Sequence, residues 1–142
     1  MILLMGECGA GKTTLAKKLS FIIPNSCVID ADIIREHVYN FGYSDDGRRN
    51  NMRLCLNIAK NIESLGIFPI VALQAPFKDI RNEMLTSTDF KVLVINNNNI
   101  KKKQNENRSD WITPIYTWDD ADLIVKFGEE DCINKILSKI IW

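Results

Sequence analysis

One glycine-rich segment near the start of the chain restricts the fold more than any other feature. It follows an apolar run from Ile2 to Met5 and precedes a stretch of helical spacing that begins at Lys12. It matches the pattern G-x-x-x-x-G-K-[ST] in full, as Gly6-Glu7-Cys8-Gly9-Ala10-Gly11-Lys12-Thr13. A strand, such a turn and a helix in this order form the phosphate loop of α/β nucleoside triphosphate-binding proteins.

The chemistry of this loop predicts a nucleoside triphosphate and Mg²⁺ as its ligands. Glycines let successive N–H groups surround a phosphate, and the following helix adds its positive N-terminal end. We expect Lys12 to bridge the β- and γ-phosphates, Thr13 to bind Mg²⁺ and Thr14 to reach the α-phosphate. The predicted phosphate-binding residues are Gly6, Gly9, Ala10, Gly11, Lys12, Thr13 and Thr14. The N-K-x-D and D-x-x-G motifs of guanine-nucleotide switches do not occur in the right context, which favours a small-molecule kinase.

Strand and helix patterns alternate along the rest of the chain. Apolar, β-rich runs predict strands at Ile2 to Met5, Cys27 to Asp30, Ile67 to Leu73, Phe90 to Ile95 and Leu123 to Phe127. Helical spacing predicts helices at Lys12 to Ser20, Ile33 to Asn40, Arg48 to Leu65, Ile80 to Leu85 and Asp131 to Ile141. The alternation predicts a P-loop NTPase-like α/β fold with three layers, α/β/α, and a mainly parallel five-stranded sheet. The length of 142 residues fits one domain, residues 1–142.

Charge and cysteine content exclude several classes of protein. Eighteen Lys and Arg balance 18 Asp and Glu, so the chain has no excess positive charge with which to bind a long polyanion. We therefore expect no nucleic acid partner. Four widely spaced cysteines fit neither a zinc site nor a disulfide framework. No run has the length of a signal peptide core or a membrane span. We therefore expect a cytoplasmic protein without a membrane partner, with a homodimer left open.

Two carboxylates and an arginine follow the second predicted strand: Asp30, Asp32 and Arg35. Ligands of open α/β sheets bind at the carboxyl edge, where these residues lie. Strand alternation sends Asp30 and Asp32 to similar sides, so that one of them could organise Mg²⁺ while the other accepts a proton from an attacking hydroxyl. In the alternative interpretation, Asp32 only caps a helix that starts at Ile33.

Several motifs occur in the order and at the spacing of a known family. They are Gly6 to Ala16, Asp30-Ala31-Asp32-x-x-Arg35, Phe41-Gly42-Tyr43-Ser44-Asp45-Asp46-Gly47-Arg48-x-x-Asn51-Met52-Arg53 and Ala75-Pro76-Phe77. Over roughly residues 2 to 95, the sequence resembles the adenylylsulfate kinase family. The resemblance implies an enzyme that transfers the γ-phosphoryl group of ATP to an alcohol, the ribose 3′-hydroxyl of adenosine 5′-phosphosulfate.

The resemblance also implies roles for individual residues. Asp32 and Lys12 become the catalytic residues, with Asp32 as the base for the 3′-hydroxyl, and Thr13 and Asp30 the metal ligands. The small-molecule nucleotide acceptor would be bound by Asp32, Arg35, Tyr43, Arg48, Asn51, Ala75, Pro76 and Phe77. The arginines and Asn51 would hold its anionic group, Tyr43 would stack under its base, and residues 75–77 would wall the pocket. Without the resemblance to the family, Arg48 and Arg53 could instead lie on a solvated helix face.

The sequence departs from the family pattern at three places. Ala31 replaces a glycine, and Gly47 replaces an aspartate. The family's K-G-L-Y lid segment is not recognisable in a shortened lid-like insertion at about residues 96–118. Candidates for lid cations and a second stacking aromatic are Lys101, Lys102, Lys103, Arg108 and Trp111. This Asn- and Lys-rich stretch is equally typical of a solvated surface connection.

Several alternatives remain open from the sequence. The acceptor could be a related nucleotide, and cytidine 5′-diphosphoramidate is the specific candidate. A polynucleotide 5′-kinase shares the loop but is disfavoured by the zero net charge. A kinase of sugars or hydroxy acids also shares it. Outside the enzymes, a catalytically degenerate nucleotide-binding module would retain the loop without phosphoryl transfer.

Overall fold

The structure is a computed structural model that describes residues 1–96 and 118–140. Strands and helices alternate through it, as the sequence predicts. In chain order they are β1 (Ile2–Met5), α1 (Lys12–Ile22), β2 (Ser26–Asp30), α2 (Ala31–His37), α3 (Asp45–Ser64), β3 (Phe68–Ala72), α4 (Lys78–Met84), β4 (Phe90–Ile95), β5 (Leu123–Lys126) and α5 (Cys132–Leu137).

The sheet is five-stranded and parallel, in the order β2-β3-β1-β4-β5. The first strand is central, with Ile2 aligned with Ile70 of β3 on one side and with Phe90 of β4 on the other. The chain builds one half of the sheet through β2 and β3, then the other half through β4 and β5. The loop after β1 therefore lies where the winding direction changes, which is where parallel α/β sheets bind ligands.

Helices cover both faces of this sheet. In β1, Leu3 and Met5 pack toward α3 and α4, whereas Ile2 and Leu4 pack toward α1 and α5. All four side chains are fully buried, since a parallel strand between two helical layers has no solvent-facing side. The predicted three-layer α/β/α architecture is confirmed.

Three helices begin earlier than the sequence periodicity predicts, and one of them is α4, which begins at Lys78 rather than Ile80. α2 begins at Ala31 rather than Ile33, because the Asp30 carboxylate accepts a hydrogen bond from the Asp32 N–H at 2.8 Å and caps the helix. The interpretation of Asp32 as the cap is therefore wrong. α3 begins at Asp45 rather than Arg48, since the Ser44 hydroxyl caps it by accepting from the Gly47 N–H at 3.0 Å.

The four cysteines all lie in the described residues and are free thiols. Burial raises the pKa of Cys55 to about 12, although the nearby charge of Arg35 opposes the shift. This thiol is therefore protonated and unreactive near neutral pH.

Among the helices of residues 1–96 and 118–140, none is long and apolar enough to cross a membrane.

Candidate active site

A cavity of about 780 Å³ opens at the carboxyl edge of the sheet. Its walls come from the loop after β1, the start of α2, the first turns of α3, residues 72–76 and the residues that follow β4 and β5. Two parts of it are named here. The phosphate loop is residues 6–13, and the arginine wall comprises Arg35, Tyr43, Arg48 and Asn51.

Backbone conformations that only glycine adopts easily shape the phosphate loop. Gly6 and Gly11 have φ angles of 145° and 97°. A Cβ at Gly6 would lie 2.5 Å from the carbonyl oxygen of Val94, and one at Gly11 would lie 2.2 Å from the ring of Phe127. Any larger residue at Gly11 would therefore have to displace the Phe127 ring, which also lines the cavity.

Lys12 lies within the curve of this loop. Its ammonium group donates hydrogen bonds to the carbonyl oxygens of Gly6 at 3.0 Å and Glu7 at 2.6 Å. Burial lowers the pKa of Lys12, against the opposing pull of Cys8 and of nearby carboxylates. A bound phosphate would favour the charged ammonium and supply it with stronger acceptors.

The structure divides the predicted phosphate-binding residues into two groups. The N–H groups of Gly6 and Ala10 donate within the protein, to the carbonyls of Gln74 at 3.3 Å and Glu7 at 3.2 Å, and neither residue lines the cavity. These two shape the loop. The cavity is lined by the other five, Gly9, Gly11, Lys12, Thr13 and Thr14.

Two oxygen ligands suitable for Mg²⁺ meet between the phosphate loop and β2. The Thr13 hydroxyl donates a hydrogen bond to Oδ2 of Asp30, whose Oδ1 caps α2. The described residues hold no cluster of three or more His, Cys, Asp or Glu side chains that could bind a metal alone. Thr13 and Asp30 nevertheless fit Mg²⁺, because this ion is usually held by one or two protein oxygens together with substrate phosphates and water.

Asp32 lies on the first turn of α2, at the side of the cavity. Its side chain is 85% exposed, and its carboxylate lies 3.7 Å from Nη1 of Arg35. The predicted strand alternation of Asp30 and Asp32 is wrong, since Asp32 is helical. Both carboxylates still line the same cavity, and that of Asp32 is accessible to a ligand.

Tyr43 brings the two arginines of the wall together. The guanidinium carbon of Arg35 lies 4.3 Å from the Tyr43 ring centroid, and that of Arg48 lies 5.7 Å from it. Nε of Arg48 also donates to the Tyr43 carbonyl at 3.1 Å. Tyr43 is 9% exposed, so its ring contacts the two arginines rather than solvent. Arg48 is 5% exposed, so the interpretation of a solvated helix face is wrong for this residue.

Buried polar atoms in the wall are available for a ligand. Asn51 is 1% exposed, and its Oδ1 has no hydrogen-bond partner among the described residues. The same holds for Nε of Arg35. Buried polar atoms are nearly always hydrogen-bonded, so these two point to a bound molecule or water that completes them. Together they offer one acceptor and one charged donor.

The loop after β3 supplies only part of the predicted pocket wall. Ala75 and Pro76 line the cavity. Phe77 is not among its lining residues; it is 7% exposed and packs beneath the Arg49 guanidinium, whose carbon lies 4.1 Å from the ring centroid. The difference arises because Phe77 is the last residue before α4 and turns toward the core.

Among the cavity residues that sequence reasoning missed are Gln74, Asn96 and Phe127. Gln74 accepts from Nη1 of Arg48 at 3.0 Å through its side chain and from Gly6 through its backbone. Each of the three follows the carboxyl end of a parallel strand, where ligands bind, and this position could have identified them from the sequence. The lid candidates Lys101, Lys102, Lys103, Arg108 and Trp111 lie outside the described residues.

Comparisons with known proteins agree with this arrangement. Residues 1–108 match the family model described as adenylylsulphate kinase. A probable adenylyl-sulfate kinase of Pyrococcus abyssi is 39% identical over 85 residues, which cover 56% of this chain and 49% of that protein. The adenylyl-sulfate kinase of Clostridium kluyveri is 26% identical over 162 residues, which cover 97% of this chain and 81% of that protein. The chain spans about half the length of the first relatives it matches.

A solved structure shares the fold. The APS kinase CysC of Mycobacterium tuberculosis, in complex with AMPPNP and APS, superposes with a TM-score of 0.80. The superposition covers 96% of this chain and 94% of that one at 15% sequence identity, which shows a shared fold and nothing further.

Proposed function

Because the chain belongs to the adenylylsulfate kinase family, we propose that it transfers the γ-phosphoryl group of ATP to the ribose 3′-hydroxyl of a nucleotide. Adenosine 5′-phosphosulfate is the first candidate acceptor. One observation carries the proposal: the phosphate loop and the arginine wall line one cavity, together with the accessible carboxylate of Asp32. A kinase must place a donor phosphate and an acceptor hydroxyl in line, and this arrangement suits that requirement.

On the ATP side, the phosphate loop binds the triphosphate through its backbone N–H groups and the N-terminal end of α1. The Lys12 ammonium then exchanges the Gly6 and Glu7 carbonyls for phosphate oxygens. Thr13 and Asp30 provide oxygens for Mg²⁺, which when bound neutralises charge on the phosphates. Phosphoryl transfer depends mainly on such positioning and charge neutralisation.

On the acceptor side, the arginine wall binds the anionic 5′ group. Arg35 and Arg48 are held by Tyr43, so their positive charges are in place before the acceptor arrives. Two buried atoms without a partner offer the nucleotide further hydrogen bonds. Nε of Arg35 can donate one, and Oδ1 of Asn51 can accept one. Two guanidinium groups suit a doubly charged anion such as a phosphosulfate or a diphosphate analogue.

Asp32 is proposed as the base. The 3′-oxygen forms a bond to the γ-phosphorus while the bond to the bridging oxygen of ADP breaks. The proton of the hydroxyl passes to the Asp32 carboxylate. The Asp32 side chain is 85% exposed, so a ligand hydroxyl in the cavity can reach its carboxylate.

Coupled ADP release with ATP·Mg²⁺ tests the proposal against an acceptor panel. The panel holds adenosine 5′-phosphosulfate, cytidine 5′-diphosphoramidate, a sugar, a hydroxy acid and a control without acceptor. Saturable turnover with the first compound is the expected result. Turnover only with the cytidine compound would reassign the acceptor base and retain the reaction. If ATP raises the melting temperature but no acceptor is phosphorylated, the chain is a nucleotide-binding module instead.

A further inference from the structure

A buried arginine outside the cavity holds the β3–α4 loop, residues 73–77. Arg81 of α4 is 1% exposed. Its Nη1 donates to the carbonyl of Ala75 at 2.5 Å, while Nε and Nη2 donate to the two carboxylate oxygens of Asp120 at 3.1 and 2.6 Å. One guanidinium therefore joins the cavity wall at Ala75 to Asp120, which lies 39 positions after Arg81.

Asp120 belongs to a stretch that returns to the sheet before β5, named here the return segment, residues 118–122. A second contact connects it to the same loop, because Nε1 of Trp118 donates to the carbonyl of Gln74 at 3.0 Å. Gln74 in turn accepts from Arg48 of the arginine wall at 3.0 Å. The return segment is thus connected both to Ala75 and, through Gln74, to Arg48.

The conformation of Ala75 requires such support. Its φ angle is 49°, in the left-handed region that residues with a Cβ adopt rarely, and the residue is fully buried. Unfavourable backbone conformations of this kind persist where the surrounding structure fixes them, often at binding sites. The hydrogen bond from Arg81 to the Ala75 carbonyl is a direct restraint on this conformation.

The charges around Asp120 hold it ionised. Partial burial alone would raise the pKa of its carboxyl, but the hydrogen bonds and charge of Arg81, aided by Lys91, hold the pKa below its ordinary value. Nζ of Lys91 lies 3.8 Å from Oδ2 of Asp120. Because a buried arginine is costly without a partner, loss of the Asp120 charge would loosen the Arg81 fork and with it the Ala75 carbonyl.

We propose that Arg81 and Asp120 are positioning residues for the acceptor. They hold Ala75 and Pro76 at the cavity wall, and the return segment fixes Arg48 through Gln74. This inference rests on the proposed function, since it takes the ligand at that wall to be the acceptor nucleotide. The phosphate loop makes its Lys12 contacts without this fork, so ATP binding is expected to be independent of it.

The test compares Asp120→Asn with Asp119→Asn. Asp119 is the adjacent residue and also pairs with a cation, Lys78 at 2.9 Å, but this pair is exposed. For Asp120→Asn we expect the KM for adenosine 5′-phosphosulfate to rise about tenfold while the KM for ATP stays unchanged. Asp119→Asn should change neither. A purely structural role would lower the melting temperature without separating the two KM values, and that result would overturn the inference.

A second variant covers the case in which Asp120→Asn does not fold. Trp118→Phe removes the Nε1 donor to Gln74 and keeps an aromatic ring, and it should raise the acceptor KM about threefold, because one neutral hydrogen bond is lost. Equal KM values in this variant and the wild type would contradict the connection through Gln74.

Failure of the proposed function gives a different result. If the wild type phosphorylates no acceptor, calorimetry with adenosine 5′-phosphosulfate and with a non-hydrolysable ATP analogue replaces the kinetics. About tenfold weaker binding of the phosphosulfate alone by Asp120→Asn would support the positioning role without the kinase activity. Equal binding of the phosphosulfate by both proteins would overturn the role.

Discussion

The two walls of the cavity are built in different ways. The phosphate loop is one continuous segment, and the Lys12 ammonium bonds to carbonyls only five and six residues away. The opposite wall joins α2, α3, the β3–α4 loop and the return segment, with Arg48 and Gln74 26 residues apart and Arg81 and Asp120 39 apart. In the first wall, local hydrogen bonds hold Lys12, whereas in the second wall the arginines are held by contacts between distant segments. Changes of acceptor can therefore arise in the second wall while the first stays intact.

The largest expected effect comes from the phosphate loop. Lys12→Ala removes the cation expected on the transferred phosphate, and kcat should fall by about 10³-fold. Lys18→Ala is the matched control, because Lys18 is an exposed lysine on the same helix. Coupled ADP release measures both. A Lys12→Ala enzyme within tenfold of the wild type would remove this lysine from the mechanism.

The next effect concerns the carboxylate beside the cavity. Asp32→Asn keeps the side-chain size but removes the proton acceptor, so kcat should fall by about 10²-fold. ATP should still raise the melting temperature, since Asp32 does not form the phosphate loop. Asp46→Asn, an exposed aspartate in the first turn of α3, serves as the control. Normal turnover of Asp32→Asn would exclude Asp32 as the base.

A smaller and more selective effect is expected in the arginine wall. Arg48→Lys keeps the charge but cannot reproduce the bonds to both Tyr43 and Gln74. The acceptor KM should rise about tenfold, with the ATP KM unchanged. Arg53→Lys should have no effect, because Arg53 lies on the same helix as Arg48 but forms a surface pair with Glu83 of α4. Equal changes in both KM values would break the distinction between the walls.

The smallest effect is on stability in acid. The pKa of Asp120 is lowered in the folded protein, because Arg81 and Lys91 outweigh its burial. Its contribution to the free energy of unfolding is therefore present above the unfolded pKa of about 3.9 and is lost as the pH falls below it. Urea unfolding at pH 5 and pH 3 should show a smaller loss for Asp120→Asn than for the wild type. An identical loss would show that this carboxylate does not contribute.

The two walls also differ in how much of each could be predicted from the sequence. The phosphate loop could be read directly, because its glycines and Lys12 act through neighbouring backbone. Resemblance to a family indicated Arg35, Arg48 and Asn51, and the structure brings them into one wall. The contacts of Gln74 and the Arg81–Asp120 fork join residues far apart in sequence, so no local pattern could reveal them.

Local competition explains the remaining errors. Asp30 and Asp32 are both suitable helix caps, and periodicity alone could not show that the earlier one is used. Ser44 likewise starts α3 three residues before the predicted position. The motif Ala75-Pro76-Phe77 indicated a pocket wall, but the backbone turn at Ala75 separates Phe77 from the cavity.

The central claim is that the two walls bring the γ-phosphate of ATP to a ribose 3′-hydroxyl. The most direct measurement is ³¹P NMR of the products formed from ATP·Mg²⁺ with an accepted nucleotide and with its 3′-deoxy analogue. The account predicts a new 3′-phosphate signal with the first and no phosphorylated product with the second. Phosphorylation of the 3′-deoxy compound, or ATP cleavage at the same rate with both, would contradict it.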